Sequence, residues 1–437
     1  MLRDDPPLSR PFEPAPPPRA GEKRFRHGPG YWITAAVILA VSTWLSPTIE
    51  TFFNFDGARN WLFERLAQDV TNPAAARDVK LVFIKDDAYW KGPLHHRSPT
   101  DRTYLARIVR ALDAADAGII ALDFDLRLAD PDVDIQPGDY AKVDAYKPYR
   151  DETDQLVRAI DEVAQRRKIV LVKTFGYGDD GYQFEGDAYQ AYGICNKLNR
   201  NGTWQNPGTP EFPLSPAAAR NIYCGYIALM PDKRRVPPPI EISGEPGKLD
   251  SFPFAVARAR NTIFAPSLQD KEYYGTYITE NVMDNPRIAV SATTLLGDPA
   301  KVRRMLQGEP VIVGAAWHLH AVGRGAMVDI HDTPIGPVNG TLIHENMAEA
   351  LMNDRIYPAL SAPYLQWIEV AAGIVAALVF AMASVLWTRL ATIAFVVAVL
   401  FAAQWLTLQL FGTFVDAFVP VFALGIHAVV GLMTEPE

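Results

Sequence analysis

Cysteine is almost missing from this 437-residue chain, which has two, Cys195 and Cys224, and so admits at most one internal disulfide. Surplus positive charge is missing as well. The formal net charge of -8 at pH 7 argues against nucleic acid as a partner, because phosphate binding needs a basic surface. There is no glycine-rich phosphate loop, no kinase catalytic loop and no nucleophile elbow, so nucleotide-dependent and serine-hydrolase chemistry find no motif. No internal repeat occurs. Charge of either sign is scarce near the end, where residues 364–433 carry only Glu369, Arg389 and Asp416 as acidic or basic groups.

That scarcity leads to what is present. The composition, 49% hydrophobic and 21% charged, resembles that of an ordinary globular protein and hides a sharp segregation. Four apolar stretches stand out. Three lie together: Tyr364–Trp387, Leu390–Phe411 and about 413–433, each close to the roughly 20 residues that cross a hydrocarbon core as a helix. The fourth, within 31–47, has aromatic flanks suited to a membrane interface. No A-x-A cleavage site follows it, so it reads as an uncleaved anchor rather than a signal peptide.

The basic residues set the orientation. Lys23, Arg24 and Arg26 precede the first stretch and Arg389 sits in the turn between the second and third, which places both on the cytoplasmic side. The expected layout is a flexible, proline-rich cytoplasmic tail over 1–30 and transmembrane helices over 31–47, 364–387, 390–411 and 413–433. A large domain over 48–363 then lies outside an inner membrane, with a cytoplasmic end at 434–437. Membrane lipid is thus an expected partner. His427 in the last span, with Gln404 and Gln409 in the preceding one, reads as hydrogen bonding within a helix bundle.

The outside segment has an α/β rhythm. Strands are expected at Asp78–Lys85, Gly118–Phe124, Lys168–Thr174, Tyr226–Met230 and Pro310–Gly314. Helices are expected at Asp101–Ala115, Glu152–Arg167, Pro253–Arg260, Pro299–Leu306 and Leu342–Asn353. Alternation of this kind implies crossover units and a mainly parallel sheet. Residues 176–215 and 231–250, rich in Gly, Pro, Asn and Asp, read as surface loops. In an oxidising compartment Cys195 and Cys224 could close a loop of about 30 residues, worth about 3 kcal/mol; two buried free thiols are the alternative.

Several candidate residues bear chemistry. Asp86, Asp87, Asp123 and Asp125 end two expected parallel strands, where open α/β sheets place ligand crevices. Their alternative role is to cap neighbouring turns and helices. His318, His320, His331 and His344 crowd one stretch with Asp329 and Asp332. The pattern matches no standard zinc spacing, so His318, His320 and His331 are at most weak metal ligands and no cofactor is expected. The same histidines could give a pH-responsive surface. Asp329, Thr333 and Pro334 also read as a turn, with Gly336 and Gly340 allowing tight geometry.

The order of several motifs adds a resemblance. Phe55-Asp56 precedes the strand LVFIKDD. Next come Ser98-Pro99-Thr100-Asp101-Arg102-Thr103-Tyr104 and IIALDFDL, then Gly225-Tyr226-Ile227 with Pro231-Asp232. Last are Val311-Ile312-Val313-Gly314, Asp329, Thr333-Pro334-Ile335-Gly336, Gly340 and Ile343-His344-Glu345-Asn346. From about Thr51 to Asn353 this resembles the type-two CHASE domain, an extracellular sensory module of bacterial membrane receptors, followed by its bundle of three helices. The resemblance implies a sensor. With the carboxylates above, it makes Arg102, Asp329, Thr333 and His344 candidate ligand-binding residues.

Receptors of that family continue into a cytoplasmic output domain, whereas this sequence stops at Glu437. The expected function is signal input passed to a separate signalling protein. A structural subunit of a larger envelope complex is the alternative, and a periplasmic enzyme the third reading. Such sensors often dimerise, so a homo-oligomer stays open.

Overall fold

The computed structural model describes residues 78–95, 100–126, 147–178, 181–184, 194–195, 214–230, 235–243, 247–261, 273–274, 283, 285–320, 324–333, 336–353, 357–358 and 386–411, with single residues at 33, 37 and 374. The proline-rich tail, most of the predicted spans at 31–47 and 364–387, all of 413–433 with His427, and the motifs Phe55-Asp56, Ser98-Pro99 and Pro231-Asp232 lie outside them. Contacts divide the chain into two units. One comprises 1–52, 363–400 and 417–437, the other 53–362 and 401–416.

The second unit is built on a six-stranded parallel sheet. Its strands are β1 (Lys80–Lys85), β2 (Ile119–Leu122), β3 (Lys168–Val172), β4 (Ile222–Gly225), β5 (Ala289–Ser291) and β6 (Pro310–Ala316), in the order β5-β1-β6-β2-β3-β4. Runs such as LVFI, IIAL and IVLV are apolar at successive positions because both faces of the sheet are covered. Val82, Ile84, Ile120, Leu122, Ile169 and Leu171 point to one side. There they meet α1 (Asp86–Tyr89), α2 (Arg102–Ala114), α3 (Lys147–Ala164) and the short helices Ala292–Gly297 and Pro299–Leu306. Leu81, Phe83, Ile119, Ala121, Val170 and Val172 point to the other, against α4 (Phe252–Ala259) and α5 (Gly340–Met352). The result is a three-layer α/β/α unit. Each fully buried Leu or Ile at these positions contributes about 1.5–3 kcal/mol.

Most expected elements stand where the apolar periodicity puts them. Tyr226–Met230 is a correction: the strand is Ile222–Gly225, whose Leu171↔Cys224 pairing continues the ladder, and Tyr226 only bridges to Ser251. The two expected loop regions carry short hairpins, Phe175–Gly178 with Gly181–Phe184 and Ile240–Glu241 with Lys248–Leu249. Helix α3 also starts earlier than expected, at Lys147. Cys195 and Cys224 form a disulfide with Cα atoms 5.9 Å apart, both cysteines buried, and it ties residue 195 to edge strand β4.

The predicted span 390–411 is helical, but the helix runs over Leu386–Phe411, so the segment around Arg389, expected as a turn between two spans, is helical instead. Side chains along it are described only at Ala391 and 394–406. Among the described residues no helix is long and apolar enough to cross a membrane.

Candidate functional site

Because the strands are parallel, their C-terminal ends lie along one edge, and Asp86, Asp123, Lys173 and Trp317-His318 leave β1, β2, β3 and β6 there. At this edge is a cleft of about 490 Å³. Lys85, Asp86, Asp87 and His318 form its polar wall. Met283, Met327, Ile330 and Leu342 supply much of its apolar lining, with Asn339 between them. Two hairpins build the far side, His318–His320 with Arg324–Met327 and Ile330–Thr333 with Gly336–Asn339.

The polar wall is internally bonded. Asp86 accepts from the His318 backbone N–H at 2.8 Å and pairs with His318 Nδ1 at 2.8 Å. Trp90 Nε1 donates to the His318 carbonyl at 2.9 Å, and Tyr89 stacks on Trp317 with centroids 4.2 Å apart. Asp87 accepts from the Ala88 N–H at 2.9 Å and from the Thr293 hydroxyl. Lys85 Nζ reaches the Met283 carbonyl at 3.5 Å. Asp86 and Asp87 therefore brace neighbouring segments, and both also line the cleft.

A second cluster lies at the first turn of α5. Asn339 caps that helix by accepting from the Thr341 N–H at 3.2 Å, while its Nδ2 donates to the carbonyls of Ala315 and Val328 at 2.9 and 3.2 Å. The helix start packs tightly on β6, where a methyl at Gly314 would lie 1.9 Å from Thr341 Oγ1. Thr341 Oγ1 donates to Asp123 Oδ2 at 2.7 Å. Asp329, held at φ +55°, presses its carboxylate against Gly340, where a methyl would lie 2.3 Å from Oδ2. His331 Nε2 sits 2.9 Å from Asp329 Oδ1.

The electrostatics follow from this crowding. Asp123 is half-buried as a residue, but its carboxyl is enclosed. Desolvation, reinforced by the charge of Asp329, pushes its pKa up to about 7, while the Thr341 hydrogen bond and His331 pull the other way. His344, buried against Phe252, is pushed down to about 4 by desolvation, with Asp329 opposing. That corrects the expectation that His344 titrates between pH 5 and 8. Its ring bonds the Ile227 backbone, and its Nδ1 meets no partner among the described residues.

Other candidates lie apart from the cleft lining. Arg102 is buried at the start of α2, donating to the Thr153 hydroxyl and to the Leu126 carbonyl at 3.4 Å, which ties α2 to α3 and to the chain beyond β2. Asp125 is exposed and accepts from the Thr174 hydroxyl at 3.2 Å. Thr333 is buried in a hairpin opposite Gly336, and His320 is exposed in another opposite Arg324. Among the described residues no three His, Cys, Asp or Glu side chains are placed to hold a metal. Sequence reasoning missed Lys85, Asn339, Thr341 and the methionines. An Asn directly before the Gly-Thr-Leu run was a legible helix-cap signal; the methionines gave none.

A family model described as the CHASE2 domain matches residues 33–386, most of the chain. No curated protein and no solved structure matches it.

Proposed function

The chain belongs to the CHASE2 family, whose domains are sensory and extracellular, and from that premise we propose that it is a non-catalytic signal-input protein of the inner membrane. The cleft carries the reading. It is large enough for a small molecule and lies at the edge of a parallel sheet where open α/β folds take ligands. One of its walls includes the first turn of α5, and the chain that follows α5 runs on to the apolar stretch at 364–387. A ligand with different affinity for two positions of that wall would shift the balance between them, and a shift in α5 is the route to the membrane helices.

The membrane placement draws on the charge-poor sequence over 364–433 and its flanking basic residues. In the helix Leu386–Phe411, Phe395, Val399, Trp405 and Leu406 are exposed, Phe395 by 69%. Lipid accommodates such a surface better than water does. On this reading the membrane helices pass the signal to a separate cytoplasmic partner.

Crosslinking with mass spectrometry on intact membranes, using reagents confined to one side in separate samples, tests this. Crosslinks from the cytoplasmic tail or the segment around Arg389 to a signalling protein are expected. Crosslinks confined to residues 48–363 and envelope proteins would replace the sensor with a structural subunit.

A further inference from the structure

Asp123 and Asp329 meet α5 at adjacent residues. Asp123 accepts from the Thr341 hydroxyl at 2.7 Å, and Asp329 is packed so closely on Gly340 that no side chain fits between them. The Gly340 N–H also donates to the Asp329 carbonyl at 2.8 Å. Two carboxylates therefore bear on one helical turn, and that turn contributes Leu342, with the cap residue Asn339, to the cleft. We propose that the carboxyl of Asp123 is a proton-binding site through which acidity outside the cell acts on the first turn of α5 and on the cleft wall it builds.

The surroundings make the charge on Asp123 costly. Asp329 and His331 face it from the hairpin region, and Thr341 and His344 belong to α5. Asp125, further along its own chain, is bonded to Thr174, and Lys173 follows the end of the neighbouring β3. When Asp123 is ionised, its enclosed charge is repelled by that of the exposed Asp329, and one hydroxyl donor with one nearby imidazole offsets part of the repulsion. A proton on Asp123 removes that repulsion, and its other oxygen can still accept from Thr341. Ionisation pushes the Asp329 turn away from the end of β2; protonation lets it settle. Desolvation already holds Asp123 half-protonated near neutral pH, at about 7.

The inference rests on the sensory reading only for what the proton is used for; protonation itself is measurable without ligand or partner. Infrared difference spectra of the full chain in lipid vesicles, recorded from pH 5 to 8, read the carbonyl band of protonated carboxyls. The wild type is expected to lose such a band with a midpoint about 7, and Asp123→Asn to lack that component. Asp329→Asn should lower the midpoint, and Thr341→Val, which removes the donor, should raise it. Those two shifts keep the test open if Asp123→Asn does not fold. Hydrogen exchange at the amides of Thr341 and Leu342 should change with the same midpoint. A band that persists in Asp123→Asn, or a midpoint indifferent to Asp329 and Thr341, overturns the site. Exchange that ignores the titration overturns its action on α5.

Discussion

Burial acts on Asp123 and His344 in opposite senses, because it penalises whichever form carries the charge. Asp123 binds its proton more tightly folded than unfolded, its pKa rising from 3.8 to about 7. Its contribution to stability is therefore full below about pH 3.8 and is lost as pH rises through 7. His344 binds its proton less tightly folded, falling from 6.5 to about 4. Its contribution is full above 6.5 and is lost as pH falls through 4. Between pH 4 and 6.5 the two slopes oppose each other, so together they leave stability nearly level. Removing one should expose the other. Asp123→Asn should melt at progressively lower temperature on acidification through that window, whereas His344→Gln should melt at higher temperature there. Thermal unfolding of the full chain in detergent, followed by circular dichroism at half-unit pH steps, checks this. Parallel profiles for both variants and the wild type would contradict the opposition.

At the scale of elements, α5 has an unremarkable intrinsic start, since Gly340 is a poor helix former, and it begins there because Asn339 fastens it. That side chain makes the cap bond and also donates to two carbonyls, those of Ala315 on β6 and Val328 before the hairpin. Asn339→Ala is expected to cost about 1 kcal/mol for the cap and about 1–3 kcal/mol more for acceptors left without a donor. A domain of this size loses about 2–4 °C in Tm per kcal/mol. Asn339→Asp, which can cap but cannot donate to the carbonyls, should fall between alanine and the wild type; equal melting of all three would show that the cap carries no weight. The asymmetry also explains what was legible. Strands such as LVFI and IVLV declare themselves because burial on both faces demands an unbroken apolar run. Ala289–Ser291 and the hairpins around the cleft are too short for periodicity to register. Asp86 and Asp123 were legible as strand-end carboxylates, but the meeting of Asp123 with Thr341 spans 218 positions and depends on glycine at 314 and 340. No local pattern encodes a pairing that distant.

For the whole molecule, the decisive quantity is where charge lies along the chain rather than how much there is. Residues 364–433 hold three acidic or basic groups, and Arg389 stands between two apolar stretches. In the proposed layout, the cost of placing such a residue at the centre of a membrane, about 2.5–3.5 kcal/mol on insertion scales, keeps that segment on one side. A stable disulfide between Cys195 and Cys224 belongs in an oxidising compartment, which is where the proposed layout puts it. The proposed layout alternates, and reporter fusions read alternation directly. A phosphatase active only outside the cytoplasm, joined after residue 363 or 412, should be active; joined after 388, it should be inactive. A fluorescent reporter that matures only in the cytoplasm should give the reverse pattern. Replacing Arg389 by Glu should blur the contrast at 388, because it removes the charge that, in the proposed layout, retains that segment inside. If phosphatase is equally active at 363, 388 and 412, the apolar stretches do not cross the bilayer, and the cleft has no helical route to a cytoplasmic partner.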